Sequence, residues 1–157
     1  MANKKFWLGM LVMVLVFGMA VIGCGNGDGN GGGYFTVTDM PAEFNGQFAW
    51  LAAMDETEEF FVGGFVSANM NTGVATLPQI SGGTVRLPMW THTDDGRVVR
   101  WSGDATLYVY LIISTMRSGT NLEVDDAVIA EVVWDNITFR NGSASVSWND
   151  GDVYVRP

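Results

Sequence analysis

The chain has one cysteine and one histidine in 157 residues, and both lysines fall within its first five positions. One cysteine cannot form an internal disulfide, so a folded domain here depends on its core alone. One histidine with one cysteine cannot supply the usual nitrogen and sulfur ligands of zinc. No glycine-rich phosphate loop is present. After Ile22 there is no apolar run long enough to span a bilayer, and no convincing amphipathic helix. Nucleophilic catalysis needs a base beside a Ser, Thr or Cys. The lone His92, between Thr91 and Thr93 at an expected strand end, has Asp94, Asp95 and Ser102 within reach of a hairpin. Such a hairpin end lacks the oxyanion donors a triad requires, so His92 reads as a turn residue. The expectation is therefore a protein that is not an enzyme, with no catalytic residue, no metal and no cofactor.

What is present begins with the first 24 residues. Lys4 and Lys5 precede an uncharged stretch, Phe6 to Ile22, of 17 residues, and then Gly23 and Cys24. As a helix that stretch would be about 25 Å long, short of a hydrocarbon core of roughly 30 Å. It has the charged start and apolar centre of a secretory signal. The tetrapeptide Val21-Ile22-Gly23-Cys24 resembles the lipobox of bacterial lipoproteins. That resemblance implies a diacylglyceryl group on the Cys24 sulfur, cleavage before Cys24 and acylation of the new amino group. Two or more acyl chains would make attachment to a membrane effectively permanent. The implied partner is a membrane, held through Cys24. The implied location is the cell envelope, at the inner or outer membrane, with the domain exported.

Residues 25–33 hold six glycines and no apolar side chain. With Cys24 they read as a tether, spanning roughly 15–18 Å as a coil. The expected organisation is a signal at 1–23, an anchor and tether at 24–33, and one β domain at 34–157. Beyond the signal, six arginines face seventeen carboxylates, a net charge of −11. A chain this acidic repels nucleic acid, which excludes that class of partner.

From Tyr34 onward, short runs rich in Val, Phe, Tyr, Trp and Thr alternate with turn signals. Expected strands are 34–38, 47–54, 60–67, 74–79, 84–91, 97–101, 105–114, 127–134, 137–140, 143–148 and 152–156. Asp95-Gly96, Asn141-Gly142 and Asp150-Gly151 are two-residue hairpin signals. Ser81-Gly82-Gly83 and Asn69–Gly73 read as slightly longer hairpin loops. Val85, Leu87 and Met89 share one face, with Arg86 and Pro88 on the other; Ala144, Val146 and Trp148 oppose Ser143, Ser145 and Ser147. Leu107 to Ile113 is apolar on both faces and reads as a central or covered strand. The expected fold is all-β: one antiparallel meander, as a closed barrel in preference to a β-sandwich.

Two further resemblances bear on this domain. Met40 to Phe44 followed by Asn45-Gly46-Gln47-Phe48-Ala49-Trp50 is similar to the start of lipocalin-type barrels, where a helical turn precedes a Gly-x-Trp strand. Here Phe48 stands where that pattern has Trp. The chain also resembles short spirochaete lipoproteins, treponemal ones especially. That likeness lies in Phe6-Trp7-Leu8-Gly9-Met10, Phe35-Thr36-Val37-Thr38 with Pro41 and Asn45-Gly46, Leu77-Pro78, Leu87-Pro88-Met89-Trp90 and Asn141-Gly142-Ser143-Ala144. It implies export and a β domain, and no activity.

The acidic pairs Asp55-Glu56 with Glu58-Glu59, Asp94-Asp95, Asp125-Asp126 and Asp150 with Asp152 match no calcium loop and read as solvated turns. Asn136-Ile137-Thr138 and Asn141-Gly142-Ser143 fit the glycosylation pattern, and beside a lipobox of bacterial type they read as chance matches. Trp50, Trp90, Trp101, Trp134 and Trp148 read chiefly as packing residues. Trp90, on the face opposite the apolar stripe, is the candidate exposed aromatic and binding residue. Two functions remain open. One is display or interaction with a macromolecule from a membrane anchor. The other is a barrel that holds a small apolar or sugar-like ligand. A filled interior favours the first and an open pocket the second.

Overall fold

The computed structural model describes residues 32–56, 60–64, 67–69, 74–93, 98–119 and 127–155. The signal, Cys24 and residues 25–31 lie outside these. So do residues 70–73 of one expected hairpin loop, the Asp95-Gly96 turn, and Glu58, Glu59, Asp94, Asp125, Asp126 and Arg156.

The domain is all-β. Its strands are β1 (Tyr34–Thr38), β2 (Phe48–Met54), β3 (Phe60–Gly63), β4 (Ser67–Asn69), β5 (Val74–Thr76), β6 (Val85–His92), β7 (Val98–Arg100), β8 (Ala105–Ser114), β9 (Ser118–Gly119), β10 (Val128–Phe139), β11 (Ala144–Ser147) and β12 (Asp152–Val155). Two 3-10 turns, Ala42–Phe44 and Trp148–Asp150, interrupt them. Among the described residues no helix is long and apolar enough to cross a membrane.

The main sheet runs β11-β1-β6-β3-β2-β8-β10-β12, with β7 on the edge of β6; β4, β5 and β9 form a second, small sheet. This corrects the expected meander. β1 lies between β6, antiparallel, and β11, in parallel, so it pairs with strands far along the chain. The side-chain alternation is honoured all the same: Phe35 sits opposite Leu87 and Ala144, Val37 opposite Val85 and Val146. Period two fixes which face is buried but not which neighbour supplies the ladder.

The Asp150-Gly151 hairpin is a second correction. β11 and β12 do not pair with each other. They are successive pieces of one segment, broken by the 3-10 turn, in which Ser147 Oγ accepts from Asn149 N (3.3 Å) and Gly151 N donates to Trp148 O (3.2 Å). β11 turns to pair with β1, and β12 returns to pair with β10. The closed barrel is corrected for the same reason. The two ends of the sheet path belong to this one segment, yet no ladder joins them among the described residues. They are held by the 3-10 turn and by Trp134, whose Nε1–H donates to Ser147 O at 3.2 Å.

Other local readings follow the chain closely. β8 is covered on both faces. Leu107, Val109, Leu111 and Ile113 join the main core, while Tyr110 and Ile112 join a second cluster with Trp50 and Val133. The expected strands 127–134 and 137–140 are one strand, β10, with a register shift between Trp134 and Ile137 where Asn136 takes φ 58°. The Asn141-Gly142 turn forms as read: Arg140 and Ser143 exchange two 2.9 Å hydrogen bonds across residues with φ 50° and 71°. Asn tolerates this left-handed region, which accounts for Asn at both positions 136 and 141. Gly82-Gly83 is likewise a two-residue turn, tighter than the loop expected there.

The interior is occupied by side chains. Phe35 stacks on Phe139 with ring centroids 5.7 Å apart and meets Trp134 edge-on at 5.8 Å. Phe139 in turn packs on Trp101 at 5.4 Å. Trp148, 6% exposed, closes one end against Phe44 at 5.1 Å. Its burial agrees with the sequence reading, although it lies in the turn rather than in β11. Because Trp148 sits at the rim, Trp148→Ala is expected to cost about 3 kcal/mol, the low end for large aromatics. Chemical denaturation would check this, and a change below about 1 kcal/mol would mark a site that solvent already reaches.

Candidate functional site

Three neighbouring strands, β11, β1 and β6, contain no Asp or Glu at all, in a chain with 17 acidic residues. Alternation turns Phe35, Val37, Val85, Leu87 and Met89 inward, where all are fully or almost fully buried. It turns Tyr34, Thr36, Arg86, Trp90 and Ser145 to the other face. Register sets Arg86, Thr36 and Ser145 side by side across the three strands. One step along, Tyr34 N donates to Ser143 Oγ at 3.2 Å.

On this face the aromatic and cationic groups form a chain. The Arg86 guanidinium carbon lies 3.7 Å from the Tyr34 ring centroid, and that of Arg100 lies 4.5 Å from it. Arg100 also lies 5.1 Å from the Trp90 ring, its cross-strand neighbour between β7 and β6. Each such contact contributes about 0.5–1 kcal/mol where exposed and about 2 where desolvated. Arg86 is exposed and Arg100 half-buried. Among the described residues neither has a carboxylate partner. The result is an exposed guanidinium fork, seated over a ring and flanked by hydroxyls. Chemically it can receive an oxyanion, which an arginine recognises through paired N–H donors.

Arg100 has a second role. Its Nη2 donates to Gly33 O at 2.7 Å and to Gly32 O at 3.0 Å, while its buried Nε has no partner among the described residues. Gly33 N donates to Trp101 O at 2.7 Å, and Gly33 O accepts from Met89 N at 3.1 Å. The last two glycines of the 25–33 segment are thus part of the folded unit. No side chain fits there: a Cβ on Gly33 would overlap the backbone of Gly142, and one on Gly32 would meet Arg100.

Trp90, the aromatic expected to be exposed, is half-buried. The exposed aromatic among the described residues is Tyr154, on β12. The stack itself escaped sequence reading because Tyr34, Arg86 and Arg100 lie on three separate strands and meet only through the pairing of β6 with β1 and with β7. Of the imagined triad, His92 lies at the end of β6 and Ser102 is exposed, while Asp94 and Asp95 lie outside the described residues. Asp55 is half-buried, and Glu56, Asp150 and Asp152 are exposed. Among the described residues no three His, Cys, Asp or Glu side chains gather as a metal site would require.

No protein-family model matches the chain, and no curated protein or solved structure matches it.

Proposed function

We propose that the chain is an exported lipoprotein, anchored through Cys24, whose β domain is a non-catalytic display and interaction module. The observation that carries this reading is the filled interior. Phe35, Trp134 and Phe139 pack ring against ring where a small-ligand barrel would need an open pocket. An interaction module works through its surface instead. The acid-free face, with Arg86 outermost and Trp90 beside Arg100, is the surface best suited to a macromolecule that bears carboxylate groups. The anchor rests on Val21-Ile22-Gly23-Cys24 and on the glycine-rich segment that follows.

Two outcomes test this. Cys24→Ala is expected to abolish labelling by a fatty-acid analogue and to leave the precursor uncleaved; labelling at the wild-type level would refute the anchor. Arg86→Glu places a carboxylate on the acid-free face. It is expected to cost about 1 kcal/mol of stability, the worth of one exposed cation–π contact. It should also remove most partner capture from an envelope fraction, and Trp90→Ala should weaken it. Capture unchanged by Arg86→Glu would show that the partner binds elsewhere.

A further inference from the structure

The outward side chains of β6, β1 and β11 stand in rows across the sheet. In one row Arg86, Thr36 and Ser145 are neighbours by register. Arg86 and Ser145 are exposed and Thr36 is half-buried. None of these three side chains has a hydrogen-bond or carboxylate partner among the described residues. The hydroxyls around them are committed. Ser143 Oγ accepts from Tyr34 N at 3.2 Å, Thr38 Oγ1 donates to Asp39 Oδ2 at 3.0 Å, and Ser147 Oγ accepts from Asn149 N at 3.3 Å. The cations are crowded as well. Arg86 and Arg100 share the Tyr34 ring, their guanidinium carbons 3.7 and 4.5 Å from its centroid. Arg100 engages Gly32 O and Gly33 O through Nη2, and its Nη1 has no partner among the described residues. Two like charges on one ring, with no carboxylate beside them in a chain of 17 acidic residues, are arranged for an anion from outside.

We infer, resting on the acid-free face as the contact surface, that its partner is an extended acidic polysaccharide, a polyuronate, lying across the strands along the row Arg86, Thr36, Ser145. Neighbouring strands are about 4.8 Å apart, and a pyranose unit in an extended chain repeats at close to that distance. One sugar unit then sits over each strand. A uronate carboxylate meets the Arg86 fork. Ring hydroxyls meet Thr36 and Ser145, whose own hydroxyls both donate and accept. Arg100 adds positive potential beside them. An extended peptide fits this row poorly, because its same-side groups repeat at about 6.5–7 Å. Peptides are also held at an open sheet edge or in apolar grooves. β1, at the centre of the row, is bonded along both edges. The large exposed hydrophobics among the described residues lie on β12 or, as Val99 opposite Thr91, on the other face. A DNA duplex, with a charge about every 1.7 Å, asks for more cations than this face has. A polyuronate carries one charge per sugar unit. The carboxylates elsewhere on the chain act on it only weakly beyond a screening length of about 8 Å at physiological salt.

The probe is oligogalacturonate, titrated onto the full-length chain in detergent and followed by calorimetry. Its methyl ester keeps the sugar and loses the charge, while poly-glutamate keeps the charge and loses the sugar. Oligogalacturonate is expected to bind, its ester not measurably, and poly-glutamate about tenfold more weakly or worse. Arg86→Lys keeps the charge without the planar fork and is expected to weaken binding about tenfold. Thr36→Val and Ser145→Ala should each weaken it about two- to tenfold, the worth of one hydrogen bond. Arg117→Ala removes an exposed charge outside these strands and should change nothing. Thermal melts establish that each variant folds; should Arg86→Lys melt early, Thr36→Val and Ser145→Ala carry the test. Poly-glutamate or the methyl ester binding as tightly as oligogalacturonate overturns the acidic polysaccharide. If the poly-glutamate binding is lost in Arg86→Lys, the carboxylate-binding face still stands. Oligogalacturonate bound equally by the parent and all three face variants overturns both. No binding of oligogalacturonate overturns the polysaccharide alone, since capture from the envelope fraction tests the face separately.

Discussion

Trp134→Ala is expected to lower the stability of the domain by about 5 kcal/mol, the upper end for a buried aromatic. Trp134 is 2% exposed and meets Phe35 edge-on at the centre of the core. Its indole N–H also donates to Ser147 O, across the gap where the sheet path fails to close. Truncation leaves a cavity and releases β11 from β10 in one step. Trp134→Phe separates the two effects. It keeps an aromatic ring but loses the donor, and the orphaned carbonyl accounts for a loss of about 1–2 kcal/mol. Urea unfolding of both variants measures this, and amide exchange in β11 should rise in both. Equal losses in the two variants would show that the ring contributes nothing beyond its hydrogen bond.

Gly33→Ala and Gly142→Ala are each expected to cost about 3 kcal/mol, high in the range for overpacking because backbone rather than side chain must give way. The two glycines cross in contact. A Cβ on Gly33 meets the Gly142 backbone, and a Cβ on Gly142 meets Trp101 O and lies 2.8 Å from Ser102 Cα. Gly142 also holds φ 71°, which alanine adopts only at a further cost of about 1 kcal/mol. The segments of Gly33, Gly142 and Trp101–Ser102 pack on one another, so a displacement forced by one change alters the room left for the other. The loss in the double variant should therefore differ clearly from the sum of the two, a coupling that denaturant melts of the three variants would reveal. Additive losses would mean that the two chain segments relax independently.

Much of this domain was legible in the residues. Strands β1 and β8 have the bounds that the apolar runs predict, and Asn141-Gly142 turns where its left-handed preference requires. Both rest on local chemistry. The neighbours of β1 were not legible, because Phe35-Thr36-Val37 alternates identically whether its partner runs parallel or antiparallel. The break at Trp148 was hidden for a related reason: a buried Trp continues the alternation of Ala144 and Val146 even where the backbone leaves the strand. Gly64 shows the same limit. At φ 108° it ends β3, and a Cβ there would come within 2.7 Å of Trp50 Cα, a contact between strands that sequence spacing does not reveal. On the candidate face, period two placed Arg86 outward, but its seat on Tyr34 required the register of β1 against β6.

The clamp on Gly32 and Gly33 determines how the domain bears load. Any pull on the amino-terminal side of Gly32 is delivered to β1, a strand bonded along both edges to β11 and β6. Tension directed along β1 shears those bonds together, so they share the force instead of breaking in turn. The two Arg100 contacts and the Gly33 bonds to Trp101 and Met89 take the first strain. A pull from the β12 side meets a strand that, among the described residues, is bonded along one edge, and such a strand peels one residue at a time. The domain is thus mechanically polar, strong on its amino-terminal side and weak at the opposite edge.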